Sequence, residues 1–367
     1  MTRQTALGYM QIRGGSSKGV YLHKADLPDD PQTRDAVLKA VMGAGGDARQ
    51  IDGLGGADPL TSKLAIISRS DIDGVDLDYQ FVQAIVGEDR LDDTPNFGNI
   101  LAGVGAFALE AGLITLSGDE AEITVNMVNS GKRCDLLFPL EDGLPAYEGE
   151  EAIDGVYGRA APVLCLYHDL AGSICGGVIP TGYMCDEFDG VKATCVDNGM
   201  PVVLMRAEAF GLSGQEPPEE LNSNQDLCER LEAIRLQAGQ AMGLGDVHDK
   251  VIPKLCLVSA PAAGGHLCTR SFIPNSCHQA LGVLTAVSVA TAALYPRSAI
   301  HDLAEIPDGL AKQMRLEHPS GHLDVLLELN PDRPGIDVVR AGIMRTARLI
   351  STGEVYIPHS VWAGPSA

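Results

Sequence analysis

The stretch Pro95-Asn96-Phe97-Gly98-Asn99-Ile100-Leu101-Ala102-Gly103-Val104-Gly105-Ala106-Phe107-Ala108-Leu109 decides the fold. From Phe97 to Leu109 it carries no charge, and its apolar residues cover every face at 3.6-residue spacing, so as a helix it must be buried all round. The pattern recurs in Pro274-Asn275-Ser276-Cys277-His278-Gln279-Ala280-Leu281-Gly282-Val283. With the Asn residues superposed, Gly103-Val104 falls on Gly282-Val283, and the second copy runs on without charge from Thr285 to Leu294. Two such helices in two halves predict an internal duplication. The Pro-Asn start reads as an N-cap, and a helix start leaves unpaired N–H donors at a positive dipole end. If two such starts face each other, an anion is expected between them.

Around these helices the chain reads mostly as strands. Gly8 to Ile12 leads into Arg13-Gly14-Gly15-Ser16-Ser17-Lys18-Gly19, a tight turn, and then into Val20-Tyr21-Leu22. Asp30 caps a helix with Pro31 at its first position. A glycine-rich segment from Ile51 to Asp58 precedes Thr61-Ser62-Lys63, which opens the apolar strand Leu64 to Ile67. Val75, Leu77, Tyr79 and Phe81 alternate as a strand, and Ile123 to Met127 turns at Asn129-Ser130-Gly131 into Cys134 to Phe138. A new set of strands begins near Ala161. Gly211 to Gln225 reads as a surface loop, and the following helix places Leu227, Leu231, Ile234 and Ala238 on one face. Glu354 to Ile357 forms a last strand. The expected architecture is α/β: two halves, residues 1–160 with 346–367 and residues 161–345, each a curved sheet around a buried helix.

A chain of 367 residues suits two domains. With 27 basic and 49 acidic residues the net charge is −22, which argues against nucleic acid and anionic membrane surfaces and leaves any anionic ligand to local donors. The N-terminus has no apolar signal-peptide core, so a cytoplasmic protein is expected. Nine cysteines without a C-x-x-C pair read as reduced thiols, not as a disulfide framework or structural zinc. The apolar run Ala280 to Leu294 is too short for a membrane span. A homodimer remains open.

Few motifs carry chemistry. Gly103 to Ala108 fits G-x-G-x-x-A but lies inside a helix, so it is no dinucleotide site. His318 and His322 are separated by Pro319 and Gly321, which break the helix a metal pair would need, and no metal is expected. Lys63 follows a glycine-rich segment at the start of an apolar strand. It is either a desolvated base of lowered pKa or a lysine that snorkels to water. Arg13, Ser16 and Ser17 read as a carboxylate-binding turn or as a solvated loop. His278 is an anion contact or acid, or a satisfied core histidine, and Arg270 a bidentate carboxylate contact or a surface arginine.

Taken together, Arg13 to Gly19, Ile51 to Asp58 with Thr61-Ser62-Lys63, Asn96-Phe97-Gly98-Asn99, Cys277-His278 and Gly353-Glu354-Val355-Tyr356 resemble the PrpF family of 2-methylaconitate cis-trans isomerases, on the side of its 4-oxalomesaconate tautomerases of aromatic-compound breakdown. The resemblance spans nearly the whole chain. It implies a diaminopimelate epimerase-like fold, no cofactor, and a 1,3-proton shift on an unsaturated di- or tricarboxylate. It also implies Lys63 as catalytic lysine, with carboxylates held by the turn at Ser16 and Ser17 and by the helix start at Gly98-Asn99; Asn96 and, in the other half, Arg270, Cys277 and His278 complete the expected substrate contacts. Phe97 departs from the family's cysteine, so a two-thiol mechanism cannot run through it and Lys63 is expected to carry the proton alone. Two alternatives stand beside this reading, a 2-methylaconitate isomerase and a non-catalytic polycarboxylate-binding protein.

Overall fold

The computed structural model describes residues 4–93 and 99–364. The chain divides into two compact units, Met1–Leu166 with Met344–Ala367, and Tyr167–Ile343. Both are α/β and rich in sheet.

In the first unit β1 (Gln4–Gly14) forms a hairpin with β2 (Ser17–His23), which runs parallel to β3 (Lys63–Arg69). β3 pairs antiparallel with β4 (Leu77–Ala84), β4 parallel with β5 (Glu120–Met127), and β5 antiparallel with β6 (Lys132–Glu141). β7 (Pro162–His168) adds to β6. Strand alternation sorts the side chains. Val20, Leu22, Leu64, Ile66, Val82 and Ala84 point outward, under Val37, Leu38, Val41 and Met42 of α1 (Pro31–Met42). Asp30 caps α1 as expected, accepting from the Thr33 N–H.

The opposite face carries Tyr21, Ala65 and Phe81, which lie side by side in the register Tyr21↔Ala65↔Phe81. It packs on the charge-free stretch, a 3-10 turn Ile100–Gly103 continued by α2 (Val104–Glu110), in which every residue from Ile100 to Leu109 is buried. The Tyr21 and Phe107 rings lie 6.1 Å apart, and a side chain on Gly103 would collide with the Tyr21 hydroxyl, so glycine sets how closely helix and strand approach. An all-apolar helix is buried on every side because strands surround it.

The second unit repeats the pairing. β8 (Val191–Asp197) and β9 (Pro201–Arg206) are antiparallel, β9 and β10 (Lys254–Ser259) parallel, and β10 and β11 (Leu267–Phe272) antiparallel. β11 and β12 (Ala311–His318) are then parallel, and β12 and β13 (Gly321–Leu329) antiparallel. The order antiparallel, parallel, antiparallel, parallel, antiparallel is that of β1 to β6. α3 (Gln225–Ala241) occupies the β9–β10 crossover as α1 occupies the β2–β3 crossover, and α4 (Val283–Leu294) stands where α2 stands. Each central helix begins at the superposed dipeptide, with Gly103 and Gly282 as N-caps and Val104 and Val283 as first helical residues. The last strand, β14 (Val338–Pro358), pairs with β13 through Val338 to Ile343, and with β1 from Ala347 to Pro358.

Two expectations are corrected. The Pro274-Asn275 start does not cap the second helix: Gly282 does, in extended conformation, so Cys277 and His278 precede the helix on an irregular segment tied to β11 by the bridge Phe272↔Cys277. The span Gly211 to Gln225 is not only loop. It contains a short helix, Pro218–Ser223, because Leu221 finds a core position beside Leu227 and Leu231. The first copy's Asn96, Phe97 and Gly98 lie outside the described residues. Among the described residues no helix is long and apolar enough to cross a membrane.

Candidate active site

Lys63 is the first residue of β3, and the segment before it is braced by its own polar groups. Asp58 caps the 3-10 turn Pro59–Thr61. Gln50 Nε2 donates to the Gly56 carbonyl and to Ser62 Oγ, both at 2.6 Å, and Ser62 Oγ donates to the Gly56 carbonyl at 2.8 Å. A glycine-rich loop thus ends in a defined place.

From there alternation turns Lys63 to the same face as Ala65 and Phe81. The side chain is 8% exposed, its Nζ 5.3 Å from the centre of the Phe81 ring. Nζ donates to Gln83 Oε1 at 2.7 Å, and Gln83 Nε2 in turn donates to the carbonyls of Ser62 (2.8 Å), Ala84 (3.1 Å) and Pro59 (3.2 Å). Burial lowers the Lys63 pKa to about 8, against a smaller upward pull from the Asp58 carboxylate. Of the two readings open for Lys63, the desolvated amine is the one the structure presents.

The β1–β2 turn lies beside it. Gly19 pairs with Lys63, and a Cβ on Gly19 would stand 3.1 Å from the Lys63 carbonyl and 3.3 Å from Ile100 Cδ1. Asn99 Nδ2 donates to Ser16 Oγ at 3.2 Å and to Ser17 Oγ at 3.4 Å, so the start of the buried stretch and the turn share their polar groups. Gly15 sits at φ 53°, and a side chain on Gly14 would come within 2.6 Å of the Asn99 carbonyl; both glycines are required by the turn. Arg13 Nη1 donates to the carbonyls of Gly15 and Thr346, each at 3.0 Å, and to Thr346 Oγ1 at 2.8 Å. That nitrogen shapes the turn, which narrows the expected anion contact of Arg13 to the rest of its guanidinium.

In the second unit the expected residues lie close to one another but differ in exposure. Arg270 is buried on β11, donating from Nε to the Glu216 carbonyl at 2.7 Å and from Nη1 to the Thr269 carbonyl at 2.9 Å; it is no surface arginine. Cys277 is buried, its backbone gripped by the Asn222 side chain, and burial pushes its thiol up to about 11 despite the opposing Arg270 charge. A thiol so placed stays protonated at neutral pH and is a poor base. His278 is exposed, its N–H donating to the Ser271 carbonyl, so it is not a core histidine. Among the described residues no group of three His, Cys, Asp or Glu could hold a metal ion.

Gln83 was not anticipated from the sequence, yet it leaves a signal. It continues the alternation Leu77, Tyr79, Phe81, so a polar residue falls where the inward apolar series predicts another hydrophobe. Gln50 and Ser62 leave no such trace, because their partners belong to an irregular loop.

The model of the PrpF protein family matches residues 4–358. The chain is 49% identical to a 4-oxalomesaconate tautomerase of Pseudomonas putida, over 99% of both chains. It is 47% identical to a (4E)-oxalomesaconate Delta-isomerase of a Novosphingobium species, over 95% of this chain and 96% of that one. The crystal structure of a methylitaconate-delta-isomerase superposes with a TM-score of 0.90 at 30% identity, covering 98% of this chain and 97% of that one.

Proposed function

Because the chain belongs to the PrpF family, we propose that it is an isomerase that moves a proton across an allylic system of an unsaturated polycarboxylate, with 4-oxalomesaconate as the substrate. The higher identity to the two oxalomesaconate enzymes, 49% and 47% against 33% for a 2-methyl-aconitate isomerase, favours this substrate over 2-methylaconitate. The observation that carries the mechanism is Lys63: a buried amine with a pKa near 8, held by a neutral partner.

In the forward direction neutral Lys63 Nζ takes a proton from the carbon next to the conjugated carbonyl or carboxylate. The electron pair left behind spreads over the allyl system as a dienolate. The resulting ammonium returns the proton at the other end, on the same face, since one flexible stem reaches both carbons. Ser16, Ser17 and Asn99 supply donors for a carboxylate, as Asn96 and Gly98 do in the family pattern, and donors aimed at the developing oxyanion lower the barrier. In the second unit we retain His278, the exposed member of its trio, as the substrate contact, with Arg270 and Cys277 shaping its surroundings. The nine free cysteines support a reducing compartment, the cytoplasm.

The test is proton NMR of a panel of unsaturated di- and tricarboxylates in deuterated buffer with the parent protein and Lys63→Met. Single-face deuterium incorporation into 4-oxalomesaconate by the parent, and none by the variant, is expected. Binding without exchange would make the protein a polycarboxylate-binding scaffold. Replacing Ser16 or Ser17 by Ala is expected to weaken substrate binding by about 1–3 kcal/mol, read by titration calorimetry.

A further inference from the structure

The geometry points to Gln83 as a positioning residue for Lys63, which aims the amine through an acceptor that carries no charge. This rests on Lys63 being the base. Three observations combine. First, the Gln83 amide is fixed in one sense, since its Nε2 is surrounded by the carbonyls of Ser62, Ala84 and Pro59 and only a donor belongs there. Oε1 is therefore obliged to face Nζ at 2.7 Å. Second, Lys63 and Gln83 are direct cross-strand partners on β3 and β4, so the contact is built into the register and needs no loop to hold it. Third, a neutral amine that donates one hydrogen to Oε1 cannot aim its lone pair at the same oxygen, so the pair stays available to a substrate.

The charge balance around Nζ follows from the elements packed on it. β4 contributes the Gln83 amide and the Phe81 ring, β2 contributes Gly19 alongside, and the preceding turn contributes Asp58. The Asp58 carboxylate, exposed to water, is the charge that raises the Lys63 pKa, and the short strand Leu91–Asp92 sets a second carboxylate, Asp92, opposite Gln83 on its far side from Lys63. A carboxylate in the place of the Gln83 amide would be a desolvated anion in contact with the amine. It would lock Lys63 as ammonium, which cannot take up a proton. The glutamine thus supplies the aim of a salt bridge without its effect on protonation.

Two substitutions separate this role from a purely structural one. Gln83→Glu is expected to shift the acid limb of the kcat/KM profile upward by at least one pH unit, with activity recovering as pH rises. Gln83→Met, which removes the acceptor at similar volume, is expected to lower kcat at least tenfold at its optimum with KM changed less than threefold and no upward shift of the limb. Competitive acetylation of Lys63, read by mass spectrometry across pH, measures the same titration without turnover. If the reading of Lys63 as base is wrong, Lys63→Met retains turnover, while the acetylation series still reports on Gln83. Acetylation curves for Gln83→Glu that coincide with the parent's, or a folded Gln83→Met with parental kcat, would overturn the proposal. Should either variant fail to fold, as judged by circular dichroism, the folded one decides alone.

Discussion

Each unit opens the strand after its first crossover with a lysine, Lys63 on β3 and Lys254 on β10, and burial lowers the pKa of both. Their surroundings differ. Lys63 faces Gln83 across the antiparallel pair, whereas the β10–β11 register ends at Leu255↔Phe272 and the next residue along is Ile273, whose side chain has no acceptor for an ammonium. Lys254 Nζ stands instead 3.7 Å from where a Cβ on Gly282 would be, at the amino end of α4. The two units share the backbone position and the desolvation, and of the two lysines only Lys63 has, among the described residues, an acceptor that aims the amine. A lowered pKa is common to both lysines, and what sets Lys63 apart is its fixed, neutral partner, on which the proposed role as base rests.

The largest effect that could break this comparison is on turnover. Lys63→Met is expected to lower kcat by about 10²–10⁴-fold, the usual contribution of a positioned acid or base, with substrate binding retained in calorimetry. If Lys254→Met has the same effect, the two lysines are not distinguished by their partners. Next comes pH. Because Lys63 must be neutral to accept a proton, kcat/KM of the parent should rise with pH and level off above about 8.

Stability should also rise with pH, but in a higher window than activity. Below the folded-state pKa of about 8 Lys63 is charged in both folded and unfolded chains, and the full cost of burying an ammonium is present. Between there and the ordinary 10.5 the folded state loses its proton first, so stability rises with pH across that window. Lys63→Met removes this dependence. At pH 7 it is expected to gain about 1–2 kcal/mol, the relieved desolvation less the cost of leaving Gln83 Oε1 without its donor, visible as a higher melting temperature. The smallest effect is expected of Lys254→Met, about threefold or less in kcat, or ~0.7 kcal/mol.

Much of the fold was legible because it rests on periodicity and caps. Asp30-Pro31 announced α1, the Asn129-Ser130-Gly131 turn announced the β5–β6 hairpin, and Gly103-Val104 over Gly282-Val283 gave the register of the duplication to the residue. The Asn275 cap failed because Pro-Asn also suits an irregular segment, and the eight residues from Asn275 to Gly282 have backbone partners in β11 and elsewhere that no local pattern encodes. At the site, Lys63 and the Ser16-Ser17 turn could be picked out by residue type and by neighbouring glycines. Arg13 and Arg270 could not be assigned, since an arginine that braces main-chain carbonyls looks in sequence like one that waits for an anion. Gln83 became meaningful only through cross-strand register, which pairs residues far apart in the chain.

The pairing of β1 with β14, in which Gln4 meets Pro358, has a consequence for how the chain is made. During synthesis β1 leaves the ribosome first and its outer neighbour last, so the edge of β1 that β14 will cover stays open while the whole second unit is produced. An unpaired strand edge is a template for wrong partners, and closing so long a loop is entropically slow. The first unit should therefore be guarded by chaperones or by its hairpin with β2 until β14 has been released. Limited proteolysis of stalled nascent chains is expected to show protection of Gln4–Gly14 only in chains long enough to have released β14.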